Sequence, residues 1–378
     1  MTTKRTSGST VLHGTGMLLA FALSALPALA ADDIAHPDGM AFPVRMIPSI
    51  PDAAEVYFAT DDYHMIGQTR DPDAIKSLRG GNGSLTYTFT DDGKEIRRIN
   101  DHGQDACSFW FPDMKHIVWT STRDNMDMPV GDWSDAANYP TGAELYISDP
   151  DGKNVKRLTN NKDYEAEVAV SPDGQWIVFG REHDGRNDIW VMKPDGSGER
   201  QVTHTDDWQE GHPMFLPDSK HIMYRAWRQT EIGKIKPTPM TIFTVNLDGT
   251  GMRRHTFDRG MNWAPYPAPD GHHYVLVKVL DGNWDVYLGD LAGGEPMRLT
   301  TNPAFDGLPN ISPSGKKISF AHSTKPGMMQ GIRTYIMDVS SLNLGPENYK
   351  RFDAGWGEAA NGDAPFPDAA PAAARPGS

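Results

Sequence analysis

A short phrase built on a Pro-Asp or Pro-Ser turn recurs along this chain, and a repeat of that kind restricts the fold more than composition can. It falls at Pro112-Asp113, Pro172-Asp173, Pro217-Asp218, Pro269-Asp270 and Pro313-Ser314, with a weaker copy at Pro51-Asp52, at spacings of 44 to 61 residues. A strand-like run follows each one: Val56-Tyr57-Phe58, Ile117-Val118-Trp119, Ile177-Val178-Phe179, Ile222-Met223-Tyr224, Tyr274-Val275-Leu276 and Ile318-Ser319-Phe320. A second run comes later in five units, as at Leu145-Tyr146-Ile147 and Ile189-Trp190-Val191, and a strand ending near Leu-Thr closes most of them. Four short strands per repeat of this length describe a propeller blade. Helical patterns do not alternate with the strands, which disfavours a parallel-sheet enzyme core.

The turn chemistry agrees. Gly 37 and Pro 29 in 378 residues exceed ordinary usage. Asp-Gly supplies a positive φ at low cost between adjacent antiparallel strands. Alternating aromatic and β-branched residues suit faces buried between stacked sheets. Radial closure also removes the exposed edges that so many short strands would otherwise present.

The fullest copy runs Ser171-Pro172-Asp173-Gly174, the aromatic-ended strand Ile177-Val178-Phe179, the turn Asp184-Gly185, the strand Asp188-Ile189-Trp190, then Asp195-Gly196. These residues resemble the TolB-type β-propeller repeat over roughly residues 46 to 353, most strongly from 105 to 320. The resemblance implies an all-β fold, a six-bladed β-propeller of four-stranded antiparallel blades. It also implies an exported protein of the cell envelope. The repeat occurs in sensors, peptidase accessory domains and lyases as well, so it speaks for the fold more than for a function. The separate N-terminal α/β domain of TolB has no room between Ala31 and the first blade. That blade is expected from about Met46 to Asn100, with a long connection from His64 to Gly83 and later strands at Leu85 to Thr90 and Ile96 to Asn100.

The ends read differently. Lys4 and Arg5 precede an apolar run from Met17 to Leu26 and the small-residue site Ala28-Leu29-Ala30, the pattern of a secretory signal over residues 1–30. A lead segment, 31–45, would follow. The run is shorter than a membrane span, and no later stretch could cross a bilayer. A periplasmic or secreted chain is expected. Residues 354–378, rich in Ala and Pro, read as a disordered tail.

Charge and cysteine content exclude several classes. A formal net charge of -14, becoming about -16 without the leader, argues against a nucleic-acid partner. The single Cys107 rules out an intramolecular disulfide and reads as a small buried hydrophobe. No Gly-x-Ser-x-Gly elbow occurs, and Gly80-Gly81-Asn82-Gly83 lacks the Lys of a phosphate loop.

Chemistry is best sought on the propeller face that carries the blade-to-blade loops. Counting back seven residues from each clear repeat proline gives Asp105, Glu165, Glu210, Asn262 and Asp306, all polar and expected around the channel mouth. Two residues further on stand Cys107, Glu167, His212, Ala264 and Leu308. Glu165, Glu167, Glu210 and His212 form a candidate set for a divalent cation, and mixed carboxylate and imidazole ligands suit zinc or manganese better than calcium. The competing reading is structural pairing with Arg123, Arg181, Arg225 and Lys278 near the ends of the second strands. Arg181 and Arg225 could instead bind a carboxylate through a bidentate fork.

Two long inserts reach the same face, Asp124 to Gly142 with Met126, Met128, Trp133 and Tyr139, and Gln229 to Met240. Loops of this length are commonly functional, and Trp and Met suit a contact surface. The expected function is an exported propeller binding a protein or envelope ligand through this face. Ligand contacts are expected at Asp105, Arg181, Arg225, Asn262, Asp306 and Trp133. The alternative is a metal-dependent lyase or hydrolase acting on an acidic carbohydrate at the channel mouth.

Overall fold

The computed structural model describes residues 39–71, 83–133, 138–325 and 331–359. The expected leader, most of the lead segment and residues 360–378 of the expected tail lie outside the described residues.

Six antiparallel sheets form a ring, a six-bladed β-propeller. Blade 3 shows the plan: Tyr164–Val170 innermost, then Ile177–His183, Arg186–Met192 and Arg200–Gln201 at the rim. Blades 2, 4 and 5 begin with Asp105–Trp110, Trp208–Phe215 and Asn262–Pro267, as the repeat anchors imply. The residue that ends the run after the anchor is buried between sheets, aromatic in Trp119, Phe179, Tyr224 and Phe320 and aliphatic in Leu276. Trp119 stacks on Tyr146 at 5.0 Å and Tyr224 on Phe243 at 5.8 Å. Burying one such side chain contributes about 1.5–3 kcal/mol, so the repeat spacing is also the spacing of the core.

The first blade departs from its expected position. Val44–Pro51 does not open it; this strand pairs with Ile332–Asp338 and becomes the outermost strand of blade 6, joining the start of the propeller to its last sheet. Blade 1 begins at Ala54–Phe58, followed by His64–Arg70, Ser84–Thr90 and Arg97–Arg98. Val56-Tyr57-Phe58 is therefore an innermost strand, and His64–Arg70 lies inside the stretch expected to be a connection. The reason is local. Gly67 occupies the place where blades 2, 3, 4 and 6 carry the buried aromatic, and a Cβ there would stand 2.8 Å from Cγ2 of Val56. The aromatic-ended run that marks a second strand elsewhere is thus missing, and Val56-Tyr57-Phe58 imitates it one strand early.

The carboxy-terminal stretch beyond Ala354 is described to residue 359. Glu358–Ala359 adds a fifth strand to blade 4 beside Arg253–Arg254, and Arg253 donates to the carbonyls of Trp356 and Gly357 at 3.1 and 2.8 Å. The first residues of the expected tail, 354–359, are therefore ordered and end in an edge strand.

Every innermost strand carries a register shift near its middle. At each shift one residue takes a left-handed conformation: Glu55, Cys107, Glu167, His212, Ala264 and Leu308, with φ between 38° and 56°. None is glycine, so the strain is retained in all six blades. A bulge re-aims the side chain it carries, and here six consecutive blades aim one residue each at the same level of the central channel.

Candidate functional site

The channel level set by the six bulges is polar on one side and apolar on the other. Blades 1 to 4 contribute Glu55, Cys107, Glu167 and His212; blades 5 and 6 contribute Ala264 and Leu308, which pack with Phe305 and Val277. Below this level Tyr57 of blade 1 meets Phe109 of blade 2 at 5.4 Å and Tyr266 of blade 5 at 6.0 Å. Tyr57 thus bridges rings of blades 2 and 5, which stand opposite one another in the ring, beneath the polar cluster, and the inserts lie at the other end.

Arg225, from the second strand of blade 4, organises the cluster. Its Nη2 donates to Oε1 of Glu167 at 2.7 Å, and the backbone N–H of His212 donates to Oε2 of the same carboxylate at 2.7 Å. Gly211 makes this possible, because a Cβ there would lie 2.5 Å from Oε2 of Glu167. Arg225 and His212 hold the Glu167 carboxyl below its ordinary range despite burial. Burial, with the Arg225 charge adding to it, pushes the His212 imidazole down to about 3, so the ring is neutral at physiological pH. Among the described residues, Nε2 of His212 and the Nε and Nη1 of Arg225 have no hydrogen-bond partner. Buried polar atoms in that state are uncommon and call for an explanation such as water or a ligand.

Glu55 completes the set. It accepts from Nε2 of Gln68 at 2.8 Å and from the Cys107 thiol at 3.0 Å. Burial raises its carboxyl above the ordinary range, the Glu167 charge adding to the effect. Burial likewise raises the Cys107 thiol, the two glutamates adding to it, so Cys107 stays protonated and is a poor nucleophile.

The first insert covers this region. Tyr139 stacks on Tyr164 at 4.1 Å with rings 8° apart, and Trp133 packs on the same tyrosine at 5.8 Å. The insert is fastened where Gly142 donates to the carbonyls of Lys162 and Asp163 at 3.1 and 2.9 Å. The second insert is fastened similarly, with Met240 donating to Gly260 at 3.1 Å and Asn262 donating to Met240 at 3.2 Å. Residues 134–137 of the first insert lie outside the described residues.

The five residues that open the innermost strands have other partners. Asp105 accepts from the Thr86 backbone at 2.8 Å and from Asn100 at 2.7 Å, and burial raises it to about 6. Glu165 accepts from Arg181 at 2.6 Å and from Asn161 at 2.5 Å; burial raises it to about 7 against the pull of Arg181. Glu210 accepts from Thr205, and burial raises it well above the ordinary range. Asn262 donates to Met240 and Asp258 at 3.0 and 3.2 Å, and Asp306 accepts from Asn302 and His322 at 2.6 and 2.7 Å. In each blade the side chain ties the incoming loop to the head of its strand. Arg181 also forks onto Glu199 at 2.7 and 3.0 Å.

The structure thus brings Glu167, His212 and Arg225 together and leaves Glu165 and Glu210 in separate contacts. Among the described residues, no three of Glu165, Glu167, Glu210 and His212 bring potential ligand atoms within 4.8 Å of one another. Sequence reasoning missed Glu55, Gln68 and Tyr164. The signal for Glu55 is Asp61 with His64: their contact at 2.6 Å repeats Asp113–His116, Asp218–His221 and Asp270–His273, and marks the true turn of blade 1. Counting back from it lands on Glu55.

No protein-family profile matches the chain. It is 29% identical over 161 residues to an uncharacterised protein of Agrobacterium fabrum, a match covering 40% of this chain and 52% of the relative. It is 28% identical over 157 residues to a TolB homolog of Chlorobium luteolum, covering 40% of this chain and 32% of that one. The matches therefore span about half and about a third of these relatives. Among solved structures it is similar to TolB of Acinetobacter baumannii, with TM-score 0.53 and 16% identity over 73% of this chain and 64% of that one. It is also similar to an oligogalacturonate lyase of Vibrio parahaemolyticus, with TM-score 0.51 and 15% identity over 78% of each chain. In fold and repeat, the chain is a TolB-like β-propeller.

Proposed function

We propose that this protein is an exported binding module that takes a protein partner or envelope ligand on its insert-bearing face. The observation that carries this is the arrangement of Tyr139 and Trp133 on Tyr164, near Nε and Nη1 of Arg225 and Nε2 of His212, buried polar atoms with no hydrogen-bond partner among the described residues. Aromatic anchors over a small number of convergent polar groups are the usual makeup of a recognition site. Among the described residues no helix is long and apolar enough to cross a membrane, and the leader-like first thirty residues support export. Similarity to TolB proteins supports a role in protein contact. The test is capture from cell-envelope extract by the wild type and by a Trp133→Ala, Tyr139→Ala variant. Loss of a captured species in the variant supports the reading; equal retention of every species overturns it.

A second reading is a lyase or hydrolase acting on an acidic carbohydrate, for which the neutral His212 beside Arg225 is the favouring observation. Arg225 would hold a substrate carboxylate and His212 would move a proton. A divalent cation in such a site would draw on Glu165, Glu167, Glu210 and His212, after rearrangement of the contacts that now separate them. Incubation with oligogalacturonate, with and without divalent ions, followed by ultraviolet absorbance of an unsaturated product, tests it. Absence of product under both conditions rejects the lyase form.

A further inference from the structure

We infer that the turn between the first two strands of blade 5 is a binding site for a single first-row divalent transition ion such as zinc. It lies at the opposite end of the blades from the inserts, since Pro267 pairs with Tyr274 there while Asn262 pairs with Lys278 at the other end. Asp270, His272 and His273 are the described residues whose potential ligand atoms fall within 4.8 Å of one another.

The site is a local elaboration of a repeated turn. In blades 1, 2, 4 and 5 an Asp accepts from the Nδ1 of a His three residues later, at 2.6 Å each time. Alone, that contact is structural. Blade 5 adds a second imidazole, His272, where the corresponding residues are Lys115 and Lys220 in blades 2 and 4. It also adds Asp290, paired across the sheet with His273. The His272 and His273 rings lie 4.0 Å apart. Oδ2 of Asp290 is 3.8 Å from Nδ1 of His272 and 4.0 Å from Nε2 of His273.

These distances divide the roles. Asp270 uses Oδ1 for the backbone N–H groups of His272 and His273 and Oδ2 for Nδ1 of His273, with Nε2 of His272 at 3.6 Å. A carboxylate that takes the far nitrogen of a histidine orients the ring and leaves its other nitrogen for a metal. Asp290, beside Nδ1 of His272 and Nε2 of His273, is that carboxylate, and Oδ2 of Asp270, Nε2 of His272 and Nδ1 of His273 then present three ligands to one point. Binding replaces the Asp270–His273 hydrogen bond with bonds of roughly 2.0–2.2 Å to the ion. Two imidazoles and a carboxylate favour zinc, nickel or copper over magnesium or calcium. Trp356 of the carboxy-terminal segment lies 6.2 Å from His272, backed by Phe352 at 5.8 Å, while Asp290 keeps one side open to solvent.

The experiment is calorimetric titration of chelator-treated full-length protein with zinc, beside cobalt titration followed by visible absorption. The wild type is expected to bind one equivalent at this site. His272→Gln and Asp290→Asn should each weaken that event at least tenfold, whereas His116→Gln, in the equivalent turn of blade 2, and Glu167→Gln, in the channel, should not. Asp290 is partly exposed, so its variant keeps the test alive should His272→Gln fail to fold. Absence of zinc binding, or equal affinity in wild type, His272→Gln and Asp290→Asn, overturns the proposal.

Discussion

The guanidinium of Arg225 in blade 4 donates to the carboxylate of Glu167 in blade 3 at 2.7 Å, joining residues 58 positions apart. Both are largely buried, with side-chain exposures of 7% and 11%. Removing one partner of such a pair leaves a buried uncompensated charge, which costs about 3–5 kcal/mol. Arg225→Ala should therefore lower the urea midpoint strongly, and the double change Arg225→Met, Glu167→Gln should recover a large part of the loss. A double variant no more stable than Arg225→Ala would show that the pair does not matter in this way.

Gly211 permits that ion pair. Its substitution by Ala places a methyl 2.5 Å from Oε2 of Glu167 and 3.4 Å from Nη2 of Arg225. The pair must shift, so Gly211→Ala should lose stability by about 1–3 kcal/mol, as overpacking does. Chemical denaturation measures it. The comparison is Gly185→Ala, at a turn with nothing within 4 Å, where strain at φ 80° is the only cost.

The His212 ring should give acid sensitivity of a definite sign. Its folded value of about 3 lies below the ordinary 6.5, so the unfolded chain binds a proton across that window while the folded chain does not. Stability falls as pH drops from about 6.5 toward 3. His212→Gln should flatten that part of the profile, and the wild-type imidazole should show no nuclear magnetic resonance titration near pH 6.5.

Glu55 acts in the opposite direction. Its folded value is raised, so above the ordinary 4.5 the unfolded chain ionises first and stability declines with rising pH. Glu55→Gln should remove this slope. Urea midpoints for both proteins at several values from pH 4 upward check it; parallel profiles would contradict the assignment.

Closure of the ring by Val44–Pro51 sets a further expectation. Ile47 and Ile50 of that strand are buried with Ile336 of blade 6 and Phe58 of blade 1. Ile47→Ala should cost about 2–5 kcal/mol. Unfolding followed by circular dichroism reads the effect. A change under 1 kcal/mol would mean the closing strand contributes little.

The amino-acid sequence by itself determined the repeat, the blade number and most of the core. Turn residues and buried aromatics are local requirements and recur at the spacing of the blades they build. It also placed Cys107, Glu167 and His212 at equivalent positions, because a bulge shared by the blades fixes their offset from the turn. Only the tertiary structure decided that Val44–Pro51 belongs to the last blade, since strand pairing between chain ends has no local signature. Gly67 hid the start of blade 1 for a related reason: where close packing against Val56 excludes an aromatic, the periodic marker is lost. The separation of Glu165 from Glu167 was also a tertiary decision. Two glutamates two residues apart look alike in sequence. A left-handed residue turns Glu167 into the channel toward Arg225, and regular pairing sets Glu165 opposite Arg181 within its own blade.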